Sequence, residues 1–328
     1  MSTASGLERE IECPASAVLS PVTRESGEAA ERGDAIHVFC RSVIAGTPRA
    51  IALAAVPEGP WRETCEQIDF GILCAGLKEI RAEVAYRISA ANDHEDVVSF
   101  LGINLGRRYP PRAANDVDGT NDFEGIEILS GLWCVTDIKT GYWPVTRCMD
   151  NPQMKFHARA LMLLHDVDRV KARIAYIGVG GEISFDEHIF TRLELDTFGD
   201  EIEARKARIA RANETLKSGG RLEVHKGDWC RYCPAIDVCP RYTALAHAML
   251  GELRDAHAKW GAMTEEERSR VTLMAFEARD LAERIVETQK ARARQTPIDL
   301  GKGKVLKDTG SGVRIVNAPK PERRRRVA

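Results

Sequence analysis

The chain has 328 residues, 44% hydrophobic and 29% charged, with 47 basic against 49 acidic side chains and a formal charge of −2. That length allows one large core with appendages or two modest domains, and the composition is that of an ordinary soluble globular protein. The charge balance excludes a global basic field, so a nucleic-acid site must be a local groove; no apolar run reaches membrane-spanning length, and the polar start lacks a secretory signal, so the expectation is a cytoplasmic protein in a reducing compartment.

Residues 1–30 are polar, with a turn signal at Cys13–Pro14, and read as a loosely ordered lead-in. From Gly33 a helical periodicity runs to Gly46, with Asp34 as its N-cap. Residues 81–90 alternate as a strand, and 100–109 read as another, closed by Pro110 and Pro111. The segments 117–128 and 132–138 read as neighbouring strands joined by a turn at Ser130–Gly131. A helix follows over 152–164, then strands over 169–180 and 182–190, then an amphipathic helix over 195–217 that stops at Gly219 and Gly220. After a cysteine-rich stretch come helices over 240–257 and 264–292, a small hairpin turning at Gly310–Gly312, and a basic tail with four arginines at 323–326.

Strands and helices alternate in the middle of the chain, which predicts an α/β core decorated by helices. The predicted organisation is a lead-in over 1–30, a core over 31–225, a cysteine cluster over 226–240, a helical extension over 241–295, and a hairpin with tail over 296–328.

Nine cysteines are present, and three of them, Cys230, Cys233 and Cys239, stand at C-x2-C-x5-C spacing. Thiolates so spaced can turn inward on one short loop and grip a soft metal centre. Zinc sites usually pair two C-x-x-C knuckles, whereas here one knuckle is followed by a single cysteine, with His225 as the nearest histidine. Spacing alone leaves Zn2+ and an iron–sulfur cluster both open. Cys40, Cys65, Cys74, Cys134 and Cys148 lack ligand spacing and read as small core residues.

The segment "WCVTDIKTGYWPV" places Asp137 and Lys139 two apart on a predicted strand, so both side chains leave one face. Taken alone this is a common tripeptide, and a carboxylate beside an ammonium can be plain charge compensation. Asp122, in "GTNDFEG" on the preceding strand, changes the reading. Two converging carboxylates repel each other unless they share a cation, and hard oxygen donors suit Mg2+ or Mn2+. Beside such an ion Lys139 could orient or help deprotonate a water and offset charge in a transition state. Gln153, in the first turn of the next helix, is a polar hook toward the same place. Trp143 is the best candidate for stacking on a base.

Together, Gly119-x-x-Asp122, Asp137-Ile138-Lys139-Thr140-Gly141 and Gln153-x-x-x-His157 resemble the PD-(D/E)XK nuclease superfamily in its RecB-like branch. The helix "GDAIH" with His37 looks like that branch's upstream histidine motif, and "ECPASAV" looks like the N-terminal cysteine element of its iron–sulfur members. Those members include AddB-type helicase–nucleases and the exonucleases of CRISPR adaptation modules. The resemblance runs from residue 13 to residue 240.

It implies a restriction-endonuclease-like core, a mixed central β-sheet flanked by helices, with a helical C-terminal extension and an iron–sulfur clasp. It further implies Asp122, Asp137, the Ile138 carbonyl and His37 as the metal shell, Lys139 as the catalytic lysine and Gln153 as the polar residue of the following helix. Cys13, Cys230, Cys233 and Cys239 would hold a [4Fe–4S] cluster. One departure stands out: the family usually has tyrosine where this chain has His157, which bears on how that helix meets substrate.

The expectation is a metal-dependent DNA nuclease, exonucleolytic, on DNA that is single-stranded if Trp143 stacks bases, in recombination, repair or phage and mobile-element DNA processing. No Walker A pattern occurs, so unwinding would fall to a helicase or recombination partner. The competing readings are a catalytically weak DNA-binding or assembly subunit with the same fold, and a zinc-clasped structural protein.

Overall fold

The computed structural model describes residues 2–19, 28–90, 96–106, 108–111, 113, 116–141, 145–302 and 304–317. Trp143 and the arginines at 323–326 lie outside these described residues. The chain divides into two compact units, Met1–Pro14 with Ser26–Thr215, and Ala15–Glu25 with Leu216–Ala328.

The first unit is built on a mixed sheet. Its strands are β1 (Ser2–Thr3), β2 (Leu77–Ala90), β3 (Asp96–Ile103), β4 (Val117–Glu127), β5 (Trp133–Lys139), β6 (Arg169–Ile177) and β7 (Ile183–Thr191). Six of them run in the order β3-β2-β4-β5-β6-β7, and the short β1 pairs parallel to the start of β4. Only β5 and β6 among those six neighbours are parallel; the other pairs are antiparallel. A parallel pair needs a crossover, and α7 (Pro152–His165) supplies it.

Two hydrophobic cores lie on this sheet. One gathers Val84, Val135, Ala172 and Ile174 with Phe156, Leu161 and Met162 of α7, Leu7 of α1 (Leu7–Glu12) and Phe198 of α8 (Arg192–Lys217). The other gathers Phe123, Ile138 and Ile177 with Ile36 and Phe39 of the helix Glu28–Ile44, and with side chains from three short helices, Arg49–Ala54, Pro60–Gln67 and Phe70–Leu73. In chain order, with Ala15–Val18 as α2, these are α3, α4, α5 and α6. Val135 faces the first core and Ile138 the second. Side chains as large as Phe156 and Phe123, removed wholly from water, each stabilise the fold by ~1.5–3 kcal/mol.

The start of the chain differs from its sequence reading. Residues 2–18 are not a loose lead-in: Ala4, Leu7 and Ile11 are buried in the first core, and Glu10 forms a buried ion pair with Arg205. The polar composition of 1–30 hid three apolar anchors among charges. α3 likewise begins at Glu28, so Asp34 sits inside the helix instead of capping it, while Gly46 at φ +95° marks the stop as expected. Helices α4–α6 carry apolar residues in runs too short for a clear period. The strand expected over 100–109 lies earlier, at Asp96–Ile103; the other predicted strands and helices match within a few residues, including the turn at Ser130–Gly131, where Gly131 takes φ +71°.

The second unit holds the 3-10 turn Asp228–Tyr232, α9 (Pro240–Lys259), α10 (Glu265–Gln295) and a three-stranded sheet of β8 (Ile298–Gly301), β9 (Lys304–Asp308) and β10 (Val313–Asn317). Its core joins Cys230, Ile236, Tyr242, Met249 and Leu281. A capping box between Thr264 and Glu267 starts α10.

Candidate active site

Strand register places the central residues. In the β4–β5 pair Phe123 faces Thr136 and Glu124 faces Val135. One step beyond the last paired residues, the same register sets Asp122 against Asp137. The ladder stops there, so the Ile138 amide can serve a side chain: it donates to Asp122 Oδ2 at 2.5 Å. The other Asp122 oxygen meets His37 Nδ1, from α3, at 2.8 Å.

Asp137 is served from its own strand and from α7. Lys139 Nζ lies 2.7 Å from its Oδ2, and Gln153 Nε2 donates to Oδ1 at 2.7 Å. The Lys139 ammonium also donates to Gln153 Oε1 at 3.3 Å, closing a triangle. Gln153 is held in place by the helix start. Asn151 caps α7, accepting from the amides of Gln153 and Met154 at 2.9 and 3.3 Å, with Pro152 next in line. Replacing that cap by alanine would cost about 1 kcal/mol and loosen the residue bridging aspartate and lysine.

The electrostatics separate the two carboxylates. For Asp122, burial works upward, but the His37 charge and hydrogen bond, the Ile138 amide and Lys139 outweigh it and hold the carboxyl below its ordinary value. For Asp137, burial and the Asp122 charge outweigh Lys139, and its affinity for a proton is raised. Burial pulls His37 and Lys139 down, yet the aspartates beside them leave both raised. The four groups form one coupled set of two acids and two cations, the arrangement expected where charge must be handled.

His157, one helical turn beyond Gln153, is fully buried, and neither ring nitrogen has a hydrogen-bond partner among the described residues. Burial drives its pKa down to about 3, so it is a neutral imidazole.

Among the described residues, no three His, Cys, Asp or Glu side chains already stand as a metal-holding group. The donor chemistry of the strand-end site nonetheless fits a hard divalent ion. Two carboxylates and an imidazole are present, and Asp137 Oδ2 is buried without a well-directed hydrogen bond, its charge balanced by the nearby Lys139 and His37.

The cysteines are reduced thiols, all nine of them. Cys13 belongs to the first unit, and Cys230, Cys233 and Cys239 to the second. Cys230 and Cys233 are buried on the 3-10 turn and at its end, and Cys239 caps α9. Cys40, Cys65, Cys134 and Cys148 are fully buried, as core cysteines should be, and Cys74 is part-buried.

Reading the sequence missed two neighbours of the site, Arg41 and a cavity; Glu83 could be read as a strand-end carboxylate close by. Arg41, one turn after His37 on α3, pairs at 3.0 Å with Glu83, whose backbone takes φ +50° within β2. Register sets Glu83 opposite Asp122, since Ala82 faces Phe123 and Val84 faces Asn121. A cavity of about 750 Å3 also opens beside Gln153, lined in part by Tyr109 and Thr120. The i, i+4 spacing of His37 and Arg41 was a legible signal for the first; nothing local signals the second.

Compared with models of protein families, the chain matches that of the PD-(D/E)XK nuclease superfamily over residues 2–240. No curated protein matches it. Among solved structures, the crystal structure of SSO0001 aligns with 16% identity over 72% of this chain and 96% of that one, at a TM-score of 0.28, too low to speak for the fold.

Proposed function

The chain belongs to the PD-(D/E)XK nuclease superfamily, and from that premise we propose that it hydrolyses DNA phosphodiester bonds with a divalent metal ion, as an exonuclease. The observation that carries this reading is the pair of carboxylates, buried Asp137 and half-buried Asp122, facing Lys139 where two paired strands part. A purely structural core would gain nothing from placing two acids there, because each raises the cost of ionising the other.

In this proposal Asp122, Asp137, His37 and the Ile138 carbonyl hold Mg2+ or Mn2+. When bound, the ion offsets phosphate charge and makes a bound water more acidic. The protein's own groups do the rest. Lys139, anchored by Asp137 and Gln153, points an ammonium at the position where negative charge grows on phosphorus-bound oxygen. Gln153 fixes Asp137 in orientation, and the Ile138 amide does the same for Asp122.

A [4Fe–4S] cluster on Cys13, Cys230, Cys233 and Cys239 is part of the same proposal, as a stabiliser of the fold and not a participant in hydrolysis. The spacing of the cysteines supports it. No reaction step is routed through it. Iron and acid-labile sulfide analysis after anaerobic purification separates a cluster from Zn2+. A helicase or recombination partner would supply unwinding. No helix among the described residues is long and apolar enough to cross a membrane.

The test is hydrolysis of end-labelled single- and double-stranded DNA by purified protein with Mg2+ or Mn2+, against EDTA and Lys139→Ala. Loss of cleavage in both controls supports the reading. Full activity of Lys139→Ala, or cleavage indifferent to metal, sinks it.

A further inference from the structure

Gln153 has two neighbourhoods. Its side chain touches Asp137 and Lys139, and it also forms part of the wall of the 750 Å3 cavity. That volume falls within the ~300–1,000 Å3 typical of small-ligand sites. The cavity lies over β4 at Gly119 and Thr120, between the 3-10 turn Ala4–Gly6 and the loop carrying Arg108, Tyr109, Pro110 and Pro111.

The walls are preorganised. The Tyr109 hydroxyl and Thr120 Oγ1 are 2.9 Å apart. Arg87 on β2 grips Asp118 with two nitrogens, at 2.7 and 3.1 Å, and donates to the carbonyls of Pro111 and Pro110 at 2.9 and 2.8 Å. This clamp ties the proline segment to the sheet and offsets the nearby Asp118 charge. At the floor, Gly119 lets the turn and α7 approach closely: a Cβ there would lie 2.5 Å from Phe156 and 2.7 Å from Ala4. No side chain larger than hydrogen fits at Gly119 without displacing one or the other.

The chemistry of the lining has one sign. Among its described residues Arg108 is the charged one and no carboxylate is present, while Ser5, Thr120 and Gln153 offer neutral polar groups. A cation, hydroxyls and an amide beside the aromatic ring of Tyr109 and the apolar rings of Pro110 and Pro111 suit an anionic ligand with an apolar plane. A nucleotide has both, provided its base is not already stacked in a duplex.

We propose that this cavity is a subsite for the nucleotide adjoining the scissile phosphate of a single DNA strand, with Arg108 on its phosphate and Tyr109 against its base. The proposal rests on the nuclease reading, because Gln153 then joins the subsite to the reacting centre. It gives the enzyme a structural preference for unpaired ends.

The test uses full-length protein and labelled oligo-dT in metal-free buffer, read by fluorescence anisotropy across a salt series. Arg108 is exposed, so Arg108→Ala should fold normally. It should weaken single-strand binding roughly tenfold, the scale of one charge-assisted contact. It should also flatten the slope of log K against log salt by about 0.7, the single-strand value for one phosphate contact. Tyr109→Ala should weaken binding at least about fivefold, as loss of one stacked base does. Binding to a duplex of the same length should change little; hydrolysis of bis(p-nitrophenyl) phosphate, a small diester with no neighbouring nucleotide, is measured on the wild-type protein alone, as the readout of the reacting centre.

Unchanged affinity and slope in Arg108→Ala would overturn the subsite, as would an equal loss on duplex. If the wild-type protein cleaves neither DNA nor the small diester, the nuclease reading falls, and the binding isotherms still decide the subsite.

Discussion

Asp122 and Glu124 stand two residues apart on β4, the first half-buried and the second fully buried, and they are treated in opposite ways. Glu124 is saturated: Arg81 reaches it at 2.5 Å, Asn121 at 2.6 Å, and the Tyr86 hydroxyl lies 2.7 and 2.8 Å from its two oxygens. Burial and the Glu124 charge push the Tyr86 phenol far up, so it stays a donor. No second acid competes for these partners. Asp122 shares its cations with Asp137, and Asp137 Oδ2 keeps a buried lone pair without a well-directed donor. A carboxylate with both oxygens filled belongs to the fold, even though Arg81 Nε and Asn121 Oδ1 beside it stay without partners, whereas one with an unfilled oxygen holds charge ready for a ligand. The difference between the two is a criterion for telling a structural buried acid from a chemical one.

The comparison predicts how each should break. The largest effect belongs to Asp137→Asn: hydrolysis should fall by about 10^2–10^4-fold, the range for a group engaged in the reacting centre. Unfolding by urea should shift by no more than about 1 kcal/mol, since Asp122 still balances Lys139 while the repulsion between acids disappears. A large loss of stability would mean that Asp137 is structural after all.

Glu124→Ala should behave conversely. Stranding Arg81, Tyr86 and Asn121 should cost roughly 3–5 kcal/mol of folding free energy, with turnover per folded molecule retained at low temperature.

Next comes His157. Its folded pKa of about 3 lies below the ordinary 6.5, so the unfolded chain binds a proton between those values and the folded chain does not. Stability is therefore complete above pH 6.5 and is lost as pH falls toward 3, by up to about 1.4 kcal/mol per pH unit. His157→Phe should abolish that component of the acid limb, seen as a smaller gap between its unfolding midpoints at pH 7 and pH 5.

The smallest effect is at Glu194, a half-exposed acid. Burial would raise its pKa, but the Thr191 hydroxyl and amide and His188 outweigh that and hold it at about 2. Its contribution is present above about 4.5 and lost as pH falls toward 2. Glu194→Gln should cost only the ~0–1 kcal/mol of an exposed pair.

Those differences also show what could be read in advance. Asp122, Asp137, Lys139 and Gln153 were recognisable as neighbours because a hairpin and a helix start bring them together, and both are encoded locally by alternation, a Ser-Gly turn and an Asn-Pro cap. His37 needed a motif, since its helix is far away in sequence. The Glu124 network could not be read, because Arg81 and Tyr86 arrive from another strand and look like ordinary strand residues. The N-terminal segment was misjudged because its anchors, Ala4, Leu7 and Ile11, are spaced among charges that dominate any average. The cavity was invisible for a related reason: its walls come from four separate stretches and meet only in the tertiary fold.

The turn at Ser130–Gly131 carries a burden that its place on the surface conceals. It acts as the zero mark of a ruler, because strand pairing counts outward from it and the count alone decides which residues confront each other at the far end. Adding one residue to the turn would shift one strand by a step and set Thr136 or Phe123 where an acid should be. Alignment of the two acids is thus maintained by arithmetic in an exposed turn, and length there should be guarded more strictly than identity.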